Sequence, residues 1–210
     1  MSVLYADQFK CTLSNMNEIL LFHHGQGLTD GVLAFAETLR SAGHLVHTPD
    51  YYDGKVFATL DEGVAYRDEI GIPELANRAG AAAQSLPTDL VYAGFSLGTG
   101  PAQLLAQTRP GARGALLMSG CLPAAAFETP WPAGVPLAVH TTEHDPWVDL
   151  DVARALVDEA HGDLVLYPGS AHLFADPTNA DHDAELRARL EASVIAWLDV
   201  VDRARQAARA

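Results

Sequence analysis

The sequence is poor in cysteine. Its two cysteines, Cys11 and Cys121, cannot make a disulfide framework and fall in no metal-ligand spacing. Positive charge is also scarce: 13 Lys and Arg stand against 27 Asp and Glu, for a formal net charge of −14. So acidic a chain lacks the basic patches that nucleic acid and anionic membranes require, and neither is expected as a partner. No apolar run approaches the roughly 18 residues of a membrane-spanning helix. The opening MSVLYADQFK has neither the basic n-region nor the long apolar h-region of a secretory signal. The expectation is a protein of a reducing cytoplasm. No internal repeat, linker or low-complexity segment divides the 210 residues, a length that suits one domain, 1–210, with a sizeable core. Nothing here fixes the oligomeric state, and a homodimer is compatible with it.

What is present is an alternation of apolar runs and helical periodicity. Strands are expected at Glu18–His23, Leu45–Thr48, Asp89–Gly94, Ala115–Met118, Pro136–Thr141 and Leu164–Tyr167. Helices are expected from a cap at Asp30 to Gly43, over Leu60–Ile70, from Pro73 through Ala83, after Ser96 to about Thr108, over Leu150–Ala160, and from Ala184 to about Val201. The third of these has a small-residue face at Ala76, Ala79, Gly80 and Ala83. Alternating Val3, Tyr5 and Phe9 suggest a short edge strand, and Arg203–Ala210 a fraying tail. Unbroken apolar strands such as Ile19-Leu20-Leu21-Phe22 suit a sheet covered on both faces. The fold class is therefore α/β: a doubly wound, mainly parallel sheet with helices on both faces and minimal or no lid.

The sequence centres on DLVYAGFSLGTGPAQ at 89–103. An apolar strand runs into Gly94-Phe95-Ser96-Leu97-Gly98 and then into a helix. This G-x-S-x-G turn holds the serine hydroxyl out beyond the strand end, as a nucleophile elbow does. Serine is a weak nucleophile until a base takes its proton, and the base needs an acid to fix its tautomer. In open α/β sheets such groups gather at the carboxyl ends of strands. Asp145 follows the fifth strand and His172 the sixth. Asp149 and Asp151 are rival acids, farther from the strand end. His161, in a charged helix end, and His182, between Asp181 and Asp183, are rival bases. The order Ser96, Asp145, His172 is the one expected on this fold. Backbone N–H groups of Leu97 and of the loop at Gln26 are the candidate oxyanion donors.

At this point the chain resembles the dienelactone hydrolase family of α/β-hydrolases, from about Ile19 to Leu198. The resemblance is carried by HHGQGLTDG at 23–31, PDYYDG at 49–54, GFSLG at 94–98, the His140–Trp147 segment and GSAHLFAD at 169–176. It implies a compact hydrolase with the triad Ser96, Asp145 and His172 and no large lid; no cofactor is expected. Two departures stand out. Dienelactone hydrolases proper have cysteine in this elbow, and a glutamate after the first of these strands that interacts with the thiol. Here the residues are Ser96 and His24-Gly25-Gln26. A serine needs no acid to tune a thiol, so the departures agree. They point away from dienelactone and toward a serine esterase or lactonase acting on a small carboxylic ester or lactone.

His24, Tyr51, Phe95, Leu122, Trp131, Trp147 and Phe174 lie in or beside strand-end loops and are candidate walls of a small apolar pocket. For any single one, packing its loop down is the plainer role. His23 and His24 tempt a metal reading with His140 or Asp50, but adjacent strand residues point to opposite faces. No metal is expected. The alternative class is a hydrolase fold turned binding or regulatory module, against which the complete triad argues.

Overall fold

The computed structural model describes residues 16–209, so the strand expected around Val3–Phe9 lies outside the described residues. Among these residues there are six strands and six α-helices. The strands are β1 (Glu18–Phe22), β2 (Leu45–His47), β3 (Val91–Phe95), β4 (Gly114–Met118), β5 (Leu137–Thr142) and β6 (Asp163–Tyr167). The helices are α1 (Asp30–Ser41), α2 (Leu60–Ile70), α3 (Ile72–Ala83), α4 (Thr99–Thr108), α5 (Leu150–Ala160) and α6 (Ala184–Arg209). The sheet order is β2-β1-β3-β4-β5-β6 with every pairing parallel. No described helix is long and apolar enough to cross a membrane.

Period-two alternation divides the core in two. Ile19, Leu21, Val91 and Ala93 face α1 and α6, while Leu20, Phe22, Leu90 and Tyr92 face α3, α4 and α5. The sheet is thus doubly wound, with α6 offering Leu186, Leu190, Val194, Leu198 and Val201 at helical spacing. The order in which strands are added across the sheet reverses between β1 and β3, which are paired at Phe22 and Gly94. That switch point is where open α/β sheets place their sites.

Local chemistry moves several boundaries. Thr29, not Asp30, caps α1, its hydroxyl accepting the Val32 N–H at 3.2 Å. α2 opens with a capping box between Thr59 and Glu62. α3 buries Leu75, Ala79 and Ala83 but leaves Ala76 half-buried. α6 runs on to Arg209 instead of fraying near Val201. Its tail is rich in alanine, a strong helix former, and Gln206 donates one turn back to Asp202 at 2.6 Å.

Two buried histidines make the fold sensitive to acid. His23 is fully buried, and burial lowers its pKa to about 4 despite a bond to the His24 carbonyl. His140 is 1% exposed and is lowered to about 4 by burial. Between the unfolded value near 6.5 and the folded one, only the unfolded chain takes up the proton. Stability is therefore complete above about pH 6.5 and is lost toward pH 4, by about 3 kcal/mol for each histidine. Thermal melts at pH 7.5 and 4.5 are expected to differ by roughly 10 °C or more. Coincident melts would refute this.

Candidate active site

The elbow is built by steric necessity. A Cβ on Gly94 would lie 2.1 Å from the Gly98 carbonyl oxygen, and one on Gly98 would lie 2.5 Å from the Phe22 carbonyl oxygen. Only glycine lets the turn press against β1. Ser96 itself is held at φ 48°, the left-handed region that L residues rarely occupy. Thr99 secures the turn by donating its hydroxyl to the Ser96 carbonyl at 2.6 Å.

The three candidates from separate strand ends converge. Ser96 Oγ is 2.7 Å from His172 Nε2. His172 Nδ1 is 2.9 and 2.8 Å from the two carboxylate oxygens of Asp145. For the serine to donate to Nε2, the ring proton must sit on Nδ1 and point at Asp145. Asp145 is 5% exposed and aimed by two further donors, the Trp147 N–H at 2.9 Å and the Thr141 hydroxyl at 3.1 Å. The loop after β6 carries His172 over the ends of β5 and β4 to the serine after β3. Asp181 accepts the His172 N–H at 3.0 Å, and Ser119, just past β4, donates to the His172 carbonyl at 2.6 Å. This is a Ser-His-Asp triad.

The rivals have other tasks. Asp149 caps α5, Asp151 pairs with Arg154, His161 ends α5 in the left-handed region, and His182 bonds the Phe174 carbonyl.

The loop after β1 lies beside the elbow. His23 stacks on Tyr51 with ring centroids 3.9 Å apart, and Tyr51 donates to the His23 carbonyl at 2.7 Å. His24 turns to the opposite side, where its Nε2 meets Asp176 at 2.7 Å. Nε2 then carries the proton and Nδ1 is left to accept, which it does from the Gln26 N–H at 3.2 Å. Asp176 also accepts from the Thr29 hydroxyl, the Thr178 N–H and the Thr178 hydroxyl at 2.5, 2.7 and 2.6 Å. Burial would raise its carboxyl, but bonds from His24, Thr178 and Thr29 outweigh that and hold it well below the usual range. Gln26 fixes the loop further, its side chain donating to the Phe57 and Ala58 carbonyls and accepting from Asn179. Among the described residues, no group of three or more His, Cys, Asp or Glu is arranged to hold a metal ion.

A cavity of about 350 Å³ opens at Ser96 and His172. Of the expected walls, Tyr51, Leu122 and Trp147 line it. Trp147, 53% exposed, lays its ring 5.7 Å from that of His172. The other expected walls do not line it. Phe95 falls on the α1 side of the sheet and packs edge-on to Phe35. Phe174 packs on Tyr167. Trp131 is buried in the opposite core layer with its indole N–H on the Val135 carbonyl. His24 is occupied with Asp176 in a separate small cavity. Leu97, expected only as a backbone donor, lines the cavity too, and Arg67 of α2 with residues of α3 and α4, none of them expected from the sequence, complete the wall. Cys121, just past the end of β4, also lines the cavity, but burial, then the nearby Asp149 charge, push its thiol up to about 11. A thiol so protonated is no rival nucleophile.

The family model described as the dienelactone hydrolase family matches residues 9–202. No curated protein matches the chain significantly. Solved structures share the fold. A dienelactone hydrolase-like promiscuous phosphotriesterase from metagenomic libraries is 22% identical over 88% of this chain and 86% of its own, with a TM-score of 0.72. A dienelactone hydrolase from Anabaena variabilis is 20% identical over 87% and 85%, with a TM-score of 0.61. A cold-adapted esterase from an Arctic intertidal metagenomic library is 20% identical over 87% and 81%, with a TM-score of 0.60.

Proposed function

The chain belongs to the dienelactone hydrolase family, and on that premise we propose that it cleaves a carboxylic ester or lactone through an acyl-enzyme on Ser96. The observation that carries this reading is the unbroken chain of short contacts from Ser96 Oγ through the His172 ring to Asp145. Ser96 Oγ attacks the carbonyl carbon as its proton passes to His172 Nε2, and the carbonyl oxygen becomes an oxyanion. Asp145 stabilises the imidazolium. Collapse of the intermediate breaks the ester C–O bond, and the leaving oxygen takes the proton from Nε2. In a lactone that hydroxyl stays tethered to the acyl group. Water then attacks the acyl-enzyme, its proton goes to His172, and collapse releases the acid and returns the proton to Ser96.

The oxyanion donors in this reading are the N–H of Leu97, in the turn that opens α4, and the N–H of Gln26. The resting bond from Gln26 to His24 is long and goes to a neutral nitrogen. An oxyanion is the stronger acceptor and draws that N–H away. The reading also places the protein in the cytoplasm, as a monomer or a homodimer, acting on a small molecule.

The test is covalent labelling. A fluorophosphonate is expected to add one adduct to the wild-type protein by intact mass and none to Ser96→Ala. Labelling of both to the same extent would place the reactive group elsewhere. Binding of small esters with no adduct on Ser96 would favour the binding-module alternative.

A further inference from the structure

The cavity says more about the substrate than the triad does. Its walls come from α3 (Ile72, Leu75, Ala76), α4 (Leu104) and the segment after β4 (Leu122, Phe127). All six are apolar, and they stand against the same opening as Ser96 and His172. A volume of about 350 Å³ holds roughly a dozen non-hydrogen atoms at ~30 Å³ each. That is well beyond the needs of an acetyl group. Ile72 and Leu122 are 57% and 42% exposed, so the apolar wall continues out to solvent at its rim.

Gly100 gives a second, independent indication. It lines the same cavity, lies within α4, and a Cβ added to it would meet no atom within 4 Å. Gly94 and Gly98 are forced by close backbone approach, but neither crowding nor a positive φ demands glycine at 100. Glycine is a poor helix residue. The missing side chain keeps that part of the cavity open.

We propose that the site takes esters carrying an apolar chain of about six to ten carbons, or an aryl group of similar bulk, on one side of the scissile bond. This rests on the hydrolase reading above and names its substrate class. Each methylene buried adds about fourfold to kcat/KM until the cavity is full. A longer chain gains little, because its end lies in solvent.

The experiment measures kcat/KM for p-nitrophenyl esters from acetate to palmitate, and for acetate esters of methanol through decanol. A second measurement tests labelling of Ser96 by the fluorophosphonate in the same preparations. The expected result is a maximum between about six and ten carbons, at least ~20-fold above the shortest member, in one of the two series. The series that shows it identifies whether the chain is acyl or alkoxy. Gly100→Leu fills the space and is expected to lower the ratio of eight-carbon to shortest-chain kcat/KM by at least ~10-fold. Its melting temperature should be no lower than the parent's. Labelled Ser96 with both series flat or falling from the shortest member overturns this inference and leaves the hydrolase reading standing. A folded Gly100→Leu with an unchanged ratio does the same. Unlabelled Ser96 with no turnover of any ester overturns both.

Discussion

Ser96→Ala is expected to lower kcat toward a reactive aryl ester by about 10⁴-fold or more, with KM changed only a few-fold. The hydroxyl makes one short contact, to His172 Nε2, and acts only when a bond forms to the substrate carbon. Ground-state binding comes from the apolar walls, which the substitution leaves alone. What survives is the contribution of binding and of the oxyanion donors. The backbone should tolerate the change, because alanine keeps the Cβ that Ser96 already carries at φ 48°. Steady-state kinetics with a melting curve separates the two effects. Retention of more than about one-hundredth of wild-type kcat in a folded Ser96→Ala protein would remove Ser96 from the mechanism.

Asp145→Asn should be nearly as damaging, with kcat falling about 10³- to 10⁴-fold and KM little altered. The position of the imidazole proton decides the outcome. Asp145 accepts from His172 Nδ1, from the Trp147 N–H and from the Thr141 hydroxyl, so in this place it only accepts. An asparagine offers an NH₂ to the same surroundings. If that group faces Nδ1, the imidazole proton moves to Nε2, and Nε2 can no longer accept from Ser96. Geometry is kept while the tautomer is reversed. The diagnostic readout is therefore kinetic: a near-wild-type melting temperature and KM beside a collapsed kcat. Wild-type kcat in Asp145→Asn would show that His172 does not depend on this carboxylate.

The elbow was legible because its glycines answer to local sterics. Two backbones must approach within a distance no Cβ allows, and that need is written in five consecutive residues. Asp145 and His172 were legible for a different reason. Each follows an apolar strand by a few residues, and a parallel sheet brings all such loops to one end. The cavity wall was legible only in part, at Tyr51, Leu122 and Trp147. α2 and α3 fall between β2 and β3, and nothing in their own periodicity says that Arg67 and Ala76 turn to the site. That is set by how the helices dock. Phe95 shows the converse. Its place beside Ser96 suggested a wall, yet strand alternation sends it to the α1 face, against Phe35. His24 likewise pairs with an acid 152 residues away, a partner sequence spacing does not reveal.

That partner has a consequence for how the protein can change. Asp176 stands four residues after the catalytic base, yet its carboxylate gathers His24 and Thr29 from the opposite side of the elbow. The loop that carries His172 and the loop that follows β1 therefore share one fastening. Substitutions at His24, Thr29 or Asp176 will not have independent effects, because each leaves the others with an unmatched buried polar group. In an evolving lineage this makes the three positions epistatic. Drift can proceed freely along the apolar cavity wall, where volume can be exchanged a residue at a time. The two loops must instead be rewritten together, so new substrates are more accessible to this scaffold than new catalytic machinery.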